Sequence, residues 1–293
     1  MKFVNVLENN SCSIGIQTAQ GIINLQKAAE KFNTPVCTDI MEIIKEWTVH
    51  AKTIQKILTL AENDPQGLFY DETKILYGPC VTKPEKIICV GLNYRQHAIE
   101  SHMAIPISPL LFNKFNNSLA AYGDVIKIPA VAQKIDYEVE LVIVIGETAQ
   151  NVSEEEALTK VFGYCTGNDL SARDLQFKTS QWILGKALDG FAPIGKYLVT
   201  ADEIGDPDNL SLETKVNGEL RQSSNTADMI FNCKELISYI SRYMTLKPGD
   251  IIFTGTPQGV IMGYPEEKQV WLKAGDEVIT NIEKLGDLKV TLG

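Results

Sequence analysis

Eleven residues restrict this chain more than any others: Ile135-Asp136-Tyr137-Glu138-Val139-Glu140-Leu141-Val142-Ile143-Val144-Ile145. β-Branched residues dominate the run and Gly146 ends it, which is the pattern of a buried strand. Alternate side chains of a strand share a face, so Glu138 and Glu140 point the same way with Cα atoms about 6.7 Å apart. Two like charges at the edge of a core repel each other and lose hydration, at roughly several kcal/mol per ion. A divalent cation offsets that cost directly; one shared proton or a nearby lysine does so less well. The other reading is a strand-edge surface charge at Glu138 and an ion-paired Glu140.

A third carboxylate is available. Asp169 closes the apolar stretch Val161-Phe162-Gly163-Tyr164-Cys165-Thr166-Gly167-Asn168, and a helix is expected from near Ser171. Three carboxylates without His or Cys form an all-oxygen set suited to a hard cation: Mg²⁺, Mn²⁺ or Ca²⁺. Single-oxygen ligation by all three leaves octahedral positions open. A 2-oxo acid could chelate there through its carboxylate and keto oxygens, with water in the rest.

The bulk properties narrow the function classes. At 293 residues, one large domain or two smaller ones fit. A net charge of -10 and a pI near 4.9 argue against nucleic acid and anionic membrane, both of which need clustered Lys and Arg. Small acidic substrates stay open, because a local cation reverses the field. None of the six cysteines forms a Cys-x-x-Cys pair, so they read as buried apolar residues of a reducing cytosol. Neither a signal-peptide stretch nor an apolar run of ~20 residues appears, and a cytoplasmic location is expected.

Residues 3–27 read as short antiparallel strands with turns at Glu8-Asn9-Asn10 and Ala19-Gln20-Gly21. A helix is expected over residues 39–62, with Thr38 as N-cap and a stop at Asn63-Asp64-Pro65. Residues 71–84 read as a connector, which divides the chain into a small N-terminal α+β domain (1–75) and a strand-rich domain (76–293). Strands are expected near residues 87–91, 109–112, 124–128, 163–166, 196–199, 213–216 and 250–254. Asn217-Gly218 signals a type I′ hairpin. Helices are expected over 154–161, after Ser153, and over 233–243. Strands and helices do not alternate regularly, so the fold class is α+β.

Other candidates are weaker alone. His97 and Glu100 share a face if residues 91–100 contain a helical turn, and a carboxylate beside an imidazole raises its basicity for work on water. A solvated loop is the competing reading. Lys186, in Leu184-Gly185-Lys186-Ala187, could bind a substrate carboxylate or stabilise an enolate, or be a surface lysine. Thr254-Gly255-Thr256-Pro257-Gln258-Gly259 could hold an anionic oxygen, or be a glycine-rich turn. Phosphate-loop, dinucleotide and nucleophile-elbow patterns are missing. His50 and His102 read as structural or surface residues.

Together these segments resemble the fumarylacetoacetate hydrolase family. The resemblance rests on Gly91-Leu92-Asn93-Tyr94-Arg95-Gln96-His97-Ala98-Ile99-Glu100, Asp136-Tyr137-Glu138-Val139-Glu140-Leu141, Asn168-Asp169-Leu170-Ser171-Ala172-Arg173-Asp174 and Gly185-Lys186-Ala187-Leu188-Asp189. It continues through Val216-Asn217-Gly218-Glu219-Leu220-Arg221-Gln222 and Leu246-Lys247-Pro248-Gly249-Asp250-Ile251-Ile252-Phe253-Thr254-Gly255-Thr256-Pro257. The motifs stand in the family's order and cover residues 83 to 293. The resemblance implies a mixed β-roll catalytic domain behind a small N-terminal domain, assembled as a homodimer. It implies that Glu138, Glu140 and Asp169 bind Mg²⁺ or Mn²⁺, and that His97 and Glu100 form a base dyad on a lid. By the same resemblance Lys186 contacts substrate or water, Gln176 positions that water, and Tyr94, Arg95 and Thr256 bind substrate. One departure touches the pocket: Gly190-Phe191-Ala192 follows Asp189 where members often carry Thr and Cys.

The expected chemistry is carbon–carbon cleavage of a small 2-oxo acid through a metal-stabilised pyruvate enolate, as in an acylpyruvate hydrolase or an oxaloacetate decarboxylase. Proton transfer on the same enolate would give an isomerase of unsaturated dicarboxylic keto acids. A non-catalytic, metal-stabilised scaffold is the remaining alternative, and it has no need of His97 beside Glu100.

Overall fold

The computed structural model describes residues 1–8 and 11–293; the turn expected at Asn9-Asn10 lies outside the described residues. A ten-stranded sheet runs in the order Gly21–Asn24, Ser11–Thr18, Lys2–Glu8, Leu198–Thr200, Val161–Asn168, Val139–Ile145, Ile251–Phe253, Ile87–Gly91, Leu110–Lys114. Its tenth strand, Tyr77–Gly78, pairs with Lys2–Glu8 off that path. The sheet is mixed, since Ile251–Phe253 and Ile87–Gly91 run parallel. A second sheet holds Glu219–Asn225, Ser211–Val216, Glu277–Ile282, Gly286–Leu292 and Val125–Ile126. The fold is the strand-rich, mixed α+β class read from the sequence.

Val139–Ile145 is buried at every position because both faces of its sheet are covered. On one face, Val142 and Val144 pack with Ile43, Ile44, Ile54 and Ile57 of the N-terminal helices. On the other, Leu141, Ile143 and Ile145 pack with Leu236, Ile237 and Ile240. Truncating one such buried Ile or Leu to Ala costs about 2–5 kcal/mol. Strand alternation puts Glu140 on the face of Val142 and Val144, so the acid continues a face that is elsewhere core.

Several boundaries differ from expectation. The helix over 39–62 is broken at Glu46 into Ile40–Lys45 and Trp47–Asn63. Its N-cap is Asp39 and not Thr38: the Asp39 carboxylate accepts the N–H groups of Met41 and Glu42. Leu25–Lys31, capped by Asn24, is a helix the strand-like reading of 3–27 did not contain. The helix expected near Ser171 starts at Arg173, because Ser171–Ala172 first pairs with Ile135–Asp136. The strand near 124–128 shrinks to Val125–Ile126. Asn217 and Gly218 have φ of 50° and 83°, the type I′ signature, between Ser211–Val216 and Glu219–Asn225. Residues of the 1–75 segment share the main sheet with later residues through the pairing of Lys2–Glu8 with Leu198–Thr200. Among the described residues no helix is long and apolar enough to cross a membrane.

Candidate active site and metal centre

Two hydrogen bonds, one to a side-chain amide and one to a backbone carbonyl, bring the acids together. Glu138 donates its N–H to Asn168 Oδ1 at 2.9 Å, and Asp169 donates its N–H to the Glu138 carbonyl at 2.9 Å. These contacts align the start of Val139–Ile145 with the end of Val161–Asn168. Glu138, Glu140 and Asp169 consequently present ligand oxygens within 4.8 Å of one another. Their exposures are 4, 2 and 0%, so none is a strand-edge surface charge.

Three buried cations answer them. Lys186 Nζ lies 2.5 Å from Glu138 Oε2 and 2.7 Å from Asp169 Oδ2. Arg173 binds Glu138 Oε1 through Nη2 at 2.7 Å and Asp136 Oδ2 through Nε at 2.9 Å. Lys114 Nζ stands 2.5 Å from Asp169 Oδ1 and donates to the carbonyls of Leu170 and Phe191. The Lys114–Asp169 contact is an ion pair without hydrogen-bond alignment, so Asp169 Oδ1 has a counter-charge but no directional partner. With Asp136 included, four buried carboxylates face three buried cations.

The excess falls on Glu140, whose hydrogen bond among the described residues is the 2.7 Å donation from the Gly255 N–H. Burial, then the charges of Asp169 and Glu138, push its carboxyl well above the usual range. Burial would raise Glu138 too, but Arg173 and Lys186 hold it below its ordinary value. Burial lowers Lys114 despite the opposing pull of Asp169, whereas Asp169 and Glu138 overcome burial and hold Lys186 above its ordinary value. An all-oxygen cluster with one unbalanced carboxylate fits a divalent cation, whose charge would keep Glu140 ionised.

The base pair forms as the spacing requires. Arg95–Glu100 is helical, and His97 Nδ1 lies 2.8 Å from Glu100 Oε1. Glu100 is itself anchored, accepting the Gly259 N–H at 3.0 Å. A cavity of about 850 Å³ is lined by His97 and Glu100 together with Glu138, Glu140, Lys186, Gln176 and Thr256. Gln176 Oε1 accepts Arg173 Nη1 at 3.0 Å, and Thr256 Oγ1 accepts Gln222 Nε2 at 2.9 Å, so both side chains are held in place. Gly255 has φ +100°, and a Cβ there would lie 2.7 Å from Asn93 Cβ; only glycine lets that N–H approach Glu140.

Two expected substrate contacts are corrected. Tyr94 is fully buried among Val90, Met229 and Leu236 in the core and does not line the cavity. Arg95 follows it onto the outer face of its helix, where it is exposed and forms no ion pair among the described residues. A helix with His97 facing inward turns its neighbour two positions earlier outward. His102, set aside from the sequence, lines the cavity at its exposed side. Sequence reasoning misses Asp136, Arg173 and Lys114, although the first two stand inside the motifs that carry the family resemblance. Phe191, at the family departure, is buried away from the cavity and meets Lys114 through its carbonyl.

Comparison with known proteins points the same way. The family model described as fumarylacetoacetate (FAA) hydrolase C-terminal matches residues 86–292. A Xenopus laevis relative named oxaloacetate tautomerase, mitochondrial, is 47% identical over 208 residues, which is 70% of this chain and 65% of that protein. The solved fumarylacetoacetate hydrolase from Exiguobacterium antarcticum is similar at TM-score 0.81 and 33% identity, over 100% of this chain and 99% of that one. Fumarylpyruvate hydrolase from Pseudomonas aeruginosa, solved in complex with Mn²⁺ and pyruvate, is similar at TM-score 0.66 and 32% identity, over 74% of this chain and 91% of that one.

Proposed function

The chain belongs to the fumarylacetoacetate hydrolase family, and we propose that it is a divalent-metal-dependent enzyme cleaving a carbon–carbon bond of a small 2-oxo acid, of acylpyruvate or oxaloacetate type. The observation that carries this reading is the opening of one cavity onto both the carboxylate cluster and the His97–Glu100 pair. A cation held by Glu138, Glu140 and Asp169, with Mg²⁺ or Mn²⁺ preferred over Ca²⁺, would act as Lewis acid on the keto end of the substrate. Lys186 presents a buried ammonium at the same place and stabilises the negative charge that develops as the pyruvate unit departs. Glu100 engages His97 Nδ1, which leaves Nε2 to take a proton from water. The Gln176 side chain, fixed by Arg173, orients that water, and the Thr256 hydroxyl meets the substrate carboxylate. When oxaloacetate is the substrate, CO₂ leaves and no attacking water is needed.

His97→Ala tests the assignment. Acylpyruvate hydrolysis should fall by about 10²–10⁴, while the thermal shift given by Mn²⁺ stays as in the parent. Unchanged hydrolysis would remove His97 as the base. A second reading is keto–enol proton transfer without cleavage, favoured by the name of the Xenopus relative. Exchange of the C3 protons of oxaloacetate for deuterium with no release of CO₂ or pyruvate would select it. A scaffold is the weaker reading, since a buried histidine held by a carboxylate serves no purpose in one. Division at residue 75, homodimer assembly and a cytoplasmic location belong to the same proposal. The start of the family match at residue 86 supports the first.

A further inference from the structure

The carboxylate cluster stands at the buried end of the cavity, and the lysine and arginine that line it there are committed. Lys186 serves Glu138 and Asp169, and Arg173 serves Asp136, Glu138 and Gln176, while the His97 ring is held by Glu100. The outer wall is mostly apolar, with Met103, Phe112, Phe177, Trp182, Met262 and Tyr264, and its polar side chains are Ser101, His102, Gln269 and Glu266. Phe112 meets Trp182 edge to face at 5.3 Å, and the Phe112 ring centroid is 5.1 Å from Lys186 Nζ. The apolar wall therefore begins directly beside the group assigned to the pyruvate end. Farther out, Glu266 lines the rim and is exposed, and no lysine or arginine among the described lining residues stands free to meet an anion. A space of about 850 Å³ is near the top of the range for drug-sized ligands, roughly 300–1,000 Å³. A pyruvyl group alone leaves most of it empty.

Resting on the 2-oxo-acid reading above, we propose that this chamber takes a medium-sized apolar substituent, aliphatic or aromatic, carried on the far side of the bond to be cleaved. Phe177, Trp182 and Tyr264 are the specificity-determining walls. A carboxylate at the far end of the substrate is selected against. It would lose hydration against aromatic faces and meet Glu266, and only His102 at the exposed rim, not a lysine or arginine, faces it among the described lining residues. An apolar chain gains about fourfold in affinity per buried methylene.

The test is a panel of acylpyruvates with the Mn²⁺-loaded protein: acetylpyruvate, hexanoylpyruvate, benzoylpyruvate and succinylpyruvate, with oxaloacetate alongside. Hexanoylpyruvate and benzoylpyruvate should exceed acetylpyruvate at least tenfold in kcat/KM, and should exceed succinylpyruvate by at least as much. Phe177→Arg, at a side chain that is 56% exposed and so tolerant of change, should shift the succinylpyruvate to hexanoylpyruvate ratio upward by tenfold or more. Equal or better use of succinylpyruvate by the parent protein, or an unmoved ratio in the variant, overturns the proposal while turnover of acetylpyruvate upholds the reaction reading. Failure to turn over any of the compounds, oxaloacetate included, overturns the reaction reading and this proposal with it.

Discussion

Glu140→Gln perturbs the most exactly defined imbalance in the molecule. The carboxylate sits 2% exposed, with the Gly255 N–H on one oxygen and the charges of Asp169 and Glu138 nearby. Glutamine keeps that hydrogen bond through its carbonyl and turns an N–H donor toward the two anions. The pH dependence follows from the direction of the shift. A carboxyl raised in the folded state binds its proton more tightly there than in the unfolded chain, where it titrates near ~4.3. Its contribution to stability is therefore complete below that value and is lost as pH rises through the raised folded value. The ceiling is about 1.4 kcal/mol per pH unit over that window. From pH 5 to pH 7 the ceiling is about 2.7 kcal/mol, and relaxation of the site reduces it to about 1–2.5 kcal/mol. In EDTA, Glu140→Gln should accordingly gain stability over the parent with rising pH, by about 2–4 °C in Tm at pH 7. With Mn²⁺ the order reverses. The parent gains about 2.7 kcal/mol at a hundredfold excess over Kd, while the variant has lost one of three anionic ligands and gains little. Differential scanning calorimetry at three pH values, with EDTA or Mn²⁺, reads both effects. A variant that is less stable than the parent in EDTA at pH 7, or that keeps the full Mn²⁺ shift, refutes the reasoning.

Two further substitutions probe the framework of the site. Asp136→Ala removes the acceptor for Arg173 Nε and for the N–H groups of Ile261 and Met262, and strands a buried guanidinium; urea unfolding should show a loss of about 3–5 kcal/mol. Gly185→Ala places a Cβ 2.4 Å from the Ala172 carbonyl oxygen and 2.5 Å from the Gln176 nitrogen. The short helix Ile183–Lys186 must then shift and carry Lys186 with it. Turnover should drop by about 10² with the protein still folded by circular dichroism.

The acids were legible in the sequence because period and chemistry coincide there. From Glu138 to Ile145 the run has no polar interruption except two glutamates on one face, and that admits few explanations. His97 and Glu100 were legible for a similar reason, since three-residue spacing on a helix places them together whatever surrounds them. The cations were hidden. Lys114 ends the strand Leu110–Lys114, where a lysine usually marks a solvent-facing edge. Here the strand is indeed last in its sheet, yet the side chain turns inward to Asp169 and is 1% exposed. Which way such a lysine turns depends on an acid 55 residues later, and local pattern carries no trace of that. Tyr94 shows the converse: a residue inside a recognisable motif packs into the core at the strand–helix junction.

The arrangement of those cations explains why the site calls for a metal at all. Lys114, Arg173 and Lys186 come from a sheet edge, one short helix and the next, and each binds two or more partners among the acids and nearby carbonyls. All of them converge on Asp136, Glu138 and Asp169. Among the described residues no fourth cation pairs with Glu140, and its Gly255 side is closed by that left-handed glycine and the Asn93 side chain. Complete neutralisation by protein side chains would give a stable core with nothing for a substrate to polarise. One carboxylate in excess does the opposite: it makes the metal-free site unfavourable at neutral pH and the dication-bound site favourable. Under the proposed chemistry, the charge missing from the fold is the charge that the cation brings to the keto acid.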